Sequence, residues 1–165
     1  MTSKHSKFLA SSLCAVMTAL PAVLVAGAVS LSAGTAQAAL TKAACRVDAI
    51  EASPEGDGTI PAELSFLADQ LQAPEFGRYK SFKHIGRHDF TLELSKVVEH
   101  KFKSGHTVEL SLLGGEKDKL ELRTDLARNG TSLVNMSFSL RAKQVMLIPV
   151  RRGDSAVIFA YQCKT

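Results

Sequence analysis

The densest run of charged and aromatic side chains lies between residues 78 and 88, Arg-Tyr-Lys-Ser-Phe-Lys-His-Ile-Gly-Arg-His. Cations of this kind bind anionic groups, so Arg78, Lys80 and Lys83 are the candidate ligand-binding residues. On an extended strand, however, Arg78 and Lys80 lie on one face and Lys83 on the other. The same pattern is typical of an edge strand that lysines protect against pairing with other chains. The sequence leaves both interpretations open.

Several possible zinc ligands follow or overlap this run. They are His84, His88, Asp89, His100 and His106. On a strand His84 and His88 share a face, but at roughly 3.3 Å per residue they lie about 13 Å apart, too far to hold one ion unless Gly86 folds them together. We therefore expect no metal and no cofactor, and we expect the histidines to be exposed or to lie at a sheet edge.

Motifs for nucleophilic catalysis are absent from the sequence. It contains no Gly-x-Ser-x-Gly, no Ser-x-x-Lys and no glycine-rich phosphate loop. Carboxylates from distant strands could still meet in space, but the chain has no Trp and only two Tyr to stack on sugars. Arg152-Gly153-Asp154 matches an integrin-binding tripeptide, although Gly-Asp is equally typical of a tight turn. No catalytic residue is predicted.

The three cysteines divide into one in the apolar N-terminus and two that bracket the rest of the chain. Cys14 lies in the apolar run, whereas Cys45 and Cys163 lie near the two ends of the remaining sequence. An even pair in an exported chain predicts a disulfide. Two free buried thiols are the alternative.

The first 38 residues have the features of a signal peptide. Lys4 and Lys7 precede a long apolar run, and Ala36-Gln37-Ala38 is a small-x-small cleavage pattern. The prediction is an exported chain, periplasmic or extracellular, with a mature domain over residues 39–165. The alternative is a retained anchor, in which case the chain would contact the membrane. Two of the 20 Lys and Arg side chains lie in this segment, so the mature domain would contain 18 basic and 16 acidic side chains. This nearly neutral balance does not indicate nucleic-acid binding.

One helix is predicted, at residues 61–71. Leu64, Leu67, Ala68 and Leu71 recur at helical spacing after Pro61. The preceding residues 53–59 contain turn formers and are expected to be a loop.

After Arg78 the hydrophobic period changes from about 3.6 to 2, which indicates strands. Four dipeptides are candidate hairpin turns: Ser104-Gly105, Gly114-Gly115, Asn129-Gly130 and Gly153-Asp154. The fold class is therefore mainly β, an antiparallel β-sandwich or open barrel of about seven or eight strands with one short N-terminal helix. The runs 145–150 and 156–161 are apolar at both parities and are expected to lie centrally in a sheet.

The spacing of apolar residues and turns resembles that of a family of small exported bacterial β-domains of unknown function. The likeness rests on Tyr79-Lys80-Ser81-Phe82, Leu92-x-Leu94, Gly105 and Val157-Ile158-Phe159-Ala160. It implies the fold and export, and no catalytic position. The sequence thus favours a non-enzymatic binding or structural module of the bacterial envelope, whose partner would be an envelope protein or an anionic surface polymer. A small periplasmic hydrolase or hydrolase inhibitor is the alternative.

Overall fold

A computed structural model describes residues 40–165 of the chain. The predicted signal segment, residues 1–38 with Cys14, lies outside the described residues. Within residues 40–165 no helix is long and apolar enough to cross a bilayer.

Eight β-strands account for most of the described chain. They are β1 (Lys42–Ser53), β2 (Ser81–Glu93), β3 (Val97–Lys101), β4 (His106–Glu116), β5 (Lys119–Arg128), β6 (Thr131–Arg141), β7 (Val145–Arg152) and β8 (Ser155–Lys164). Between β1 and β2 lie three short helical turns, here called the helical segment: a 3₁₀ turn Ala62–Leu67, helix α1 (Ala68–Leu71) and a second 3₁₀ turn Pro74–Phe76.

The strands form two four-stranded antiparallel sheets. Sheet A has the order β2-β1-β8-β7 and sheet B the order β3-β4-β5-β6. Side chains such as Val47, Leu122 and Phe159 from the two sheets meet in one hydrophobic core. The predicted β-sandwich is therefore confirmed, with eight strands.

Two strands differ from the prediction. β1, which the sequence analysis leaves unassigned, is a central strand of sheet A. β8 is central as predicted, but β7 is an edge strand. β7 is apolar at both parities because Ile148 and Val150 belong to the inter-sheet core, while Val145 and Leu147 pack on the side of the helical segment.

The predicted helix at 61–71 is found as the first two turns of the helical segment. Leu64, Leu67 and Leu71 are buried as the helical spacing predicts. They pack with Ile50 and Ile158 on the outer face of sheet A. No side chain caps either of the first two turns, which is consistent with a mostly 3₁₀ geometry held by packing rather than by helix propensity.

The turns follow the sequence except at one glycine pair. Asn129 and Gly130 both have positive φ, 51° and 79°, as a type I′ hairpin requires. Gly114 and Gly115 are not a turn, because β4 continues through them with a register shift. A Cβ on Gly115 would lie 2.4 Å from the carbonyl oxygen of Lys119, so the close approach of β5 requires glycine there.

Cys45 and Cys163 form a disulfide between the first and the last strand. They are directly opposite each other in the β1–β8 pairing, with Cα atoms 4.1 Å apart, and both are buried in the core between the sheets. The disulfide therefore fixes the register of the two central strands of sheet A.

Candidate anion-binding cavity

Three turns lie at one end of the sandwich, and each has a cation in it or directly before it. The turns connect β3 to β4, β5 to β6 and β7 to β8. Lys103 lies in the first turn, Arg128 ends β5 and Arg152 ends β7. Antiparallel pairing brings the β3–β4 and β5–β6 turns to the same end of sheet B. The β7–β8 turn belongs to sheet A, and its Arg152 lines a cavity together with Lys103 and Ser104 of the β3–β4 turn.

An open cavity of about 470 Å³ lies at this end. Its lining residues are Glu51, Lys83, His84, Ile85, Lys103, Ser104, Arg152 and Val157. We call this the cationic cavity. Its three cations come from three separate elements: β2, the β3–β4 turn and β7.

The electrostatics of the cationic cavity favour an anion. Lys83, Lys103 and Arg152 take part in none of the ion pairs formed within the described part of the chain. Glu51, which is exposed, is the single acidic residue of the lining. Three cations and one carboxylate on a partly enclosed surface create a positive potential that attracts anionic groups.

The three predicted ligand-binding residues do not lie together. Lys83 lines the cationic cavity, but Arg78 and Lys80 precede β2 and are not part of its lining. The guanidinium of Arg78 lies 3.8 Å from the carboxylate of Asp154 and 5.4 Å from the ring centre of Tyr79. β2 is an edge strand, as the second interpretation of the 78–88 run requires.

Lys103 and Arg152 are the cavity cations that sequence reasoning missed. Neither belongs to a run as dense as residues 78–88, so composition alone did not mark them. The available signal was their position, because each lies just before a glycine turn of a predicted hairpin. Assigning those turns to the same end of the sandwich would have grouped them.

A buried histidine forms a polar contact behind the cavity wall. His106 Nδ1 and Ser104 Oγ lie 2.9 Å apart, and Ser104 lines the cavity. Burial lowers the pKa of His106, and the positive charges of Arg128 and Arg152 lower it further. His106 is therefore neutral near pH 7 and contributes no charge to the cavity.

His84, which lines the cavity, forms a hydrogen bond with a buried carboxylate. His84 Nε2 and Arg87 Nε donate to Asp48 Oδ1, at 2.9 Å and 2.7 Å. The side chain of Asp48 is 1% exposed on the central strand β1, and Arg87 Cζ lies 5.8 Å from the ring centre of Phe66. The buried carboxylate is thus paired with the guanidinium of Arg87, and its hydrogen bond to His84 fixes the orientation of that ring at the cavity edge.

These contacts do not form a Ser-His-Asp triad within residues 40–165. A Ser-His-Asp triad needs one histidine between a nucleophile and a carboxylate. Here Asp48 bonds to His84, whereas Ser104 contacts His106, so the two histidines serve separate pairs. His106 Nε2 has no hydrogen-bond partner within residues 40–165, so no carboxylate orients that ring.

His88 and His100 lie in a cluster of aromatic rings. The rings of His88 and His100 stack with centroids 4.5 Å apart, and Phe90 and Phe102 adjoin them. Over the described part of the chain no three His, Cys, Asp or Glu side chains are grouped so that they could hold a metal ion.

The lowered pKa values of His100 and His106 predict a loss of stability in mild acid. Burial lowers the pKa of His100, with a further contribution from His88, as it does for His106. The unfolded chain therefore binds protons more readily below about pH 6.5, and the free energy of unfolding falls as the pH drops below that value. The melting temperature should decrease between about pH 7 and pH 5, above the range in which carboxylates titrate. In the variant His106→Asn the melting temperature should decrease less over this pH range than in the wild type. An equal decrease in both proteins would contradict the role of His106.

No protein-family model matches the chain, and no curated protein and no solved structure matches it. What the cavity offers chemically is a positive, partly enclosed surface with a hydroxyl at Ser104.

Proposed function

We propose that this chain is an exported, non-enzymatic module of the bacterial envelope that binds anionic groups of a surface polymer in its cationic cavity. The observation that carries the proposal is the convergence of Lys83, Lys103 and Arg152, from three elements, on one cavity. Cations that form no ion pair within residues 40–165 can contact phosphate, sulfate or carboxylate groups of a ligand.

The absence of an assembled triad in residues 40–165 supports binding rather than catalysis. Asp48, the most deeply buried carboxylate near the cavity, is held by Arg87 and His84. Ser104 contacts a histidine that no carboxylate in this part of the chain orients.

The disulfide supports the exported location. A disulfide-bonded pair such as Cys45 and Cys163 fits an oxidising compartment, and such bonds are rare in the reducing cytosol. Export delivers the chain to the compartment where anionic surface polymers are found.

Charge reversal in the cationic cavity should abolish binding to an anionic polymer. The variant Lys83→Glu/Lys103→Glu/Arg152→Glu replaces attraction by repulsion at all three positions, so affinity for dextran sulfate should fall at least about tenfold. Isothermal titration calorimetry measures this affinity, with neutral dextran as the uncharged probe. Affinity of the wild type should also fall as salt is raised, because salt screens exposed charges.

A matched variant separates the cavity from net charge. Lys117→Glu/Lys119→Glu/Lys164→Glu makes the same change in charge with exposed lysines that lie away from the three turns of the cationic end. Thr165 Oγ1 donates to the carbonyl oxygen of Lys117, which places the end of β8, with Lys164, beside the turn between β4 and β5. Lys119 begins β5 directly after that turn. This variant should retain dextran sulfate binding within about twofold. Equal loss in both variants, or no loss in the cavity variant, would refute the proposed site.

A further inference from the structure

Charges of opposite sign are separated along the described chain. Residues 54–77, which include the helical segment, contain five Asp and Glu side chains and no Lys or Arg. Residues 78–165 contain 16 Lys and Arg side chains against nine Asp and Glu side chains. The helical segment packs on the outer face of sheet A, so the molecule has an acidic surface there although its total charge is nearly balanced.

A groove of about 590 Å³ lies between the helical segment and the edge strand β7. Its apolar lining includes Phe76 from the helical segment and Val145 and Leu147 from β7. Val145 and Leu147 are only partly buried, so the groove exposes apolar surface beside the acidic segment. We call it the acidic groove.

The charged residues of the acidic groove have an excess of negative charge. Asp69 and Glu75 lie on the side of the helical segment, and Arg151 lies on β7. None of the three takes part in the ion pairs formed within residues 40–165. Exposed carboxylates beside apolar surface complement a ligand that carries both cationic and apolar side chains.

The backbone of β7 offers hydrogen-bonding groups on the same side. Arg152 and Ser155 flank a two-residue turn and pair with each other, so alternation directs the N–H and C=O of Leu147 away from β8. Such groups can bond to the backbone of a peptide. Pro149 has the same parity but lacks an N–H, which prevents pairing along the whole strand. A short peptide segment therefore fits this edge better than a complete added strand.

We propose that the acidic groove binds a short basic peptide segment of another protein. An apolar side chain of that segment lies against Val145 and Leu147, and its Lys or Arg side chains lie near Asp69 and Glu75. The site is separate from the cationic cavity, whose lining shares no residue with it.

A second copy of this chain is a poorer occupant. Val97 and Leu113, at 63% and 48%, are the most exposed large apolar side chains of the described residues. They line a surface of sheet B with two carboxylates, Glu109 and Asp125, and one cation, Arg123. The acidic groove likewise has two carboxylates and one cation, so the two surfaces lack complementary charge.

Titration with the amidated peptide Lys-Leu-Lys-Phe-Lys-Leu-Lys, followed by two-dimensional amide NMR, tests the proposal. The dissociation constant should lie below about 100 µM, a modest affinity for a short peptide. The shifted amides should centre on Ala73, Val145 and Leu147, which line the groove. A peptide with Ser in place of Leu and Phe keeps the charge and should bind at least about tenfold more weakly, because the apolar contact is lost.

Two double variants distinguish the acidic groove from the acidic segment as a whole. Asp69→Lys/Glu75→Lys should weaken peptide binding at least about tenfold, because attraction becomes repulsion. Glu55→Lys/Glu63→Lys makes the same change in charge at exposed positions outside the groove lining and should keep the affinity within about threefold. Circular dichroism confirms that both variants are folded.

Four results would overturn the proposal. They are the absence of peptide binding up to about 1 mM, amide shifts confined to other surfaces, equal losses in the two double variants, and no loss in the groove variant. Self-association of the protein without peptide, abolished by Asp69→Lys/Glu75→Lys, would identify a second copy as the occupant and would also overturn it.

Discussion

Replacing Cys45 and Cys163 together by alanine is expected to lower the free energy of unfolding by about 2–5 kcal/mol. The bond joins residues 118 apart in sequence, and in the chain-entropy model a loop of that length corresponds to about 5 kcal/mol. The bond also lies in the buried core, so its loss removes packing between β1 and β8. Urea unfolding of the oxidised wild type and the double variant, followed by circular dichroism, measures the difference.

Reduction of the wild type provides the control for this prediction. Dithiothreitol opens the same loop without changing the side chains, so it should lower the urea midpoint by most of the same amount. A midpoint that moves in the alanine variant but not on reduction would show that packing, rather than the closed loop, stabilises the sandwich.

The second large effect is expected at Asp48. Asp48→Ala removes the buried acceptor of Arg87 and His84, and we expect a loss of about 2–4 kcal/mol in the free energy of unfolding. The range lies below that of a wholly buried pair, because the side chain of Arg87 is one-third exposed and keeps part of its hydration. Chemical denaturation at pH 7 measures the loss.

β1 and β2 contain a matched control for Asp48. Arg46 Nε donates to Asp89 Oδ1 at 2.7 Å, the same distance as between Arg87 Nε and Asp48 Oδ1. The carboxylate of Asp89 is 59% exposed, so Asp89→Ala should cost only about 0–1 kcal/mol. Equal losses at Asp48 and Asp89 would contradict the claim that burial decides the value of these two pairs.

Local periodicity predicted much of the fold because most strands have one face in the core and one in solvent. Leu120, Leu122 and Leu126 alternate with charged residues on β5, and all three are buried as that alternation requires. Leu64, Leu67 and Leu71 likewise revealed the helical segment. Asn129-Gly130 revealed a hairpin because its two residues adopt positive φ.

The strands of sheet A are harder to assign because the helical segment covers part of their outer face. β1 is buried on both faces from Val47 to Ile50, and its run includes small alanines and the charged Asp48, so its alternation is weak. β7 lies at the edge of sheet A but has the apolar composition of a central strand. Its two faces both pack against other elements, and this packing requires apolar residues whether the strand is central or at the edge.

The candidate site was predicted only in part because it forms from residues far apart in sequence. The run at 78–88 contributed Lys83 to the cationic cavity, while Lys103 and Arg152 join it through the order of the strands. Asp48 and its partners His84 and Arg87 depend on the register of β1 against β2, which includes a shift between Ala49 and Ile50. Periodicity does not encode such a register.

The strand orders of the two sheets imply different routes of assembly. Sheet B is a meander of consecutive strands from Val97 to Arg141, so every pairing in it is local. Sheet A places β8, the last strand of the chain, between β1 and β7, so its centre forms only once residues 155–164 are available. Long-range pairings form slowly because the intervening loop must close first. Truncation before Ser155 would remove no strand of the meander, but it would reduce sheet A to the β1–β2 pair and one isolated strand.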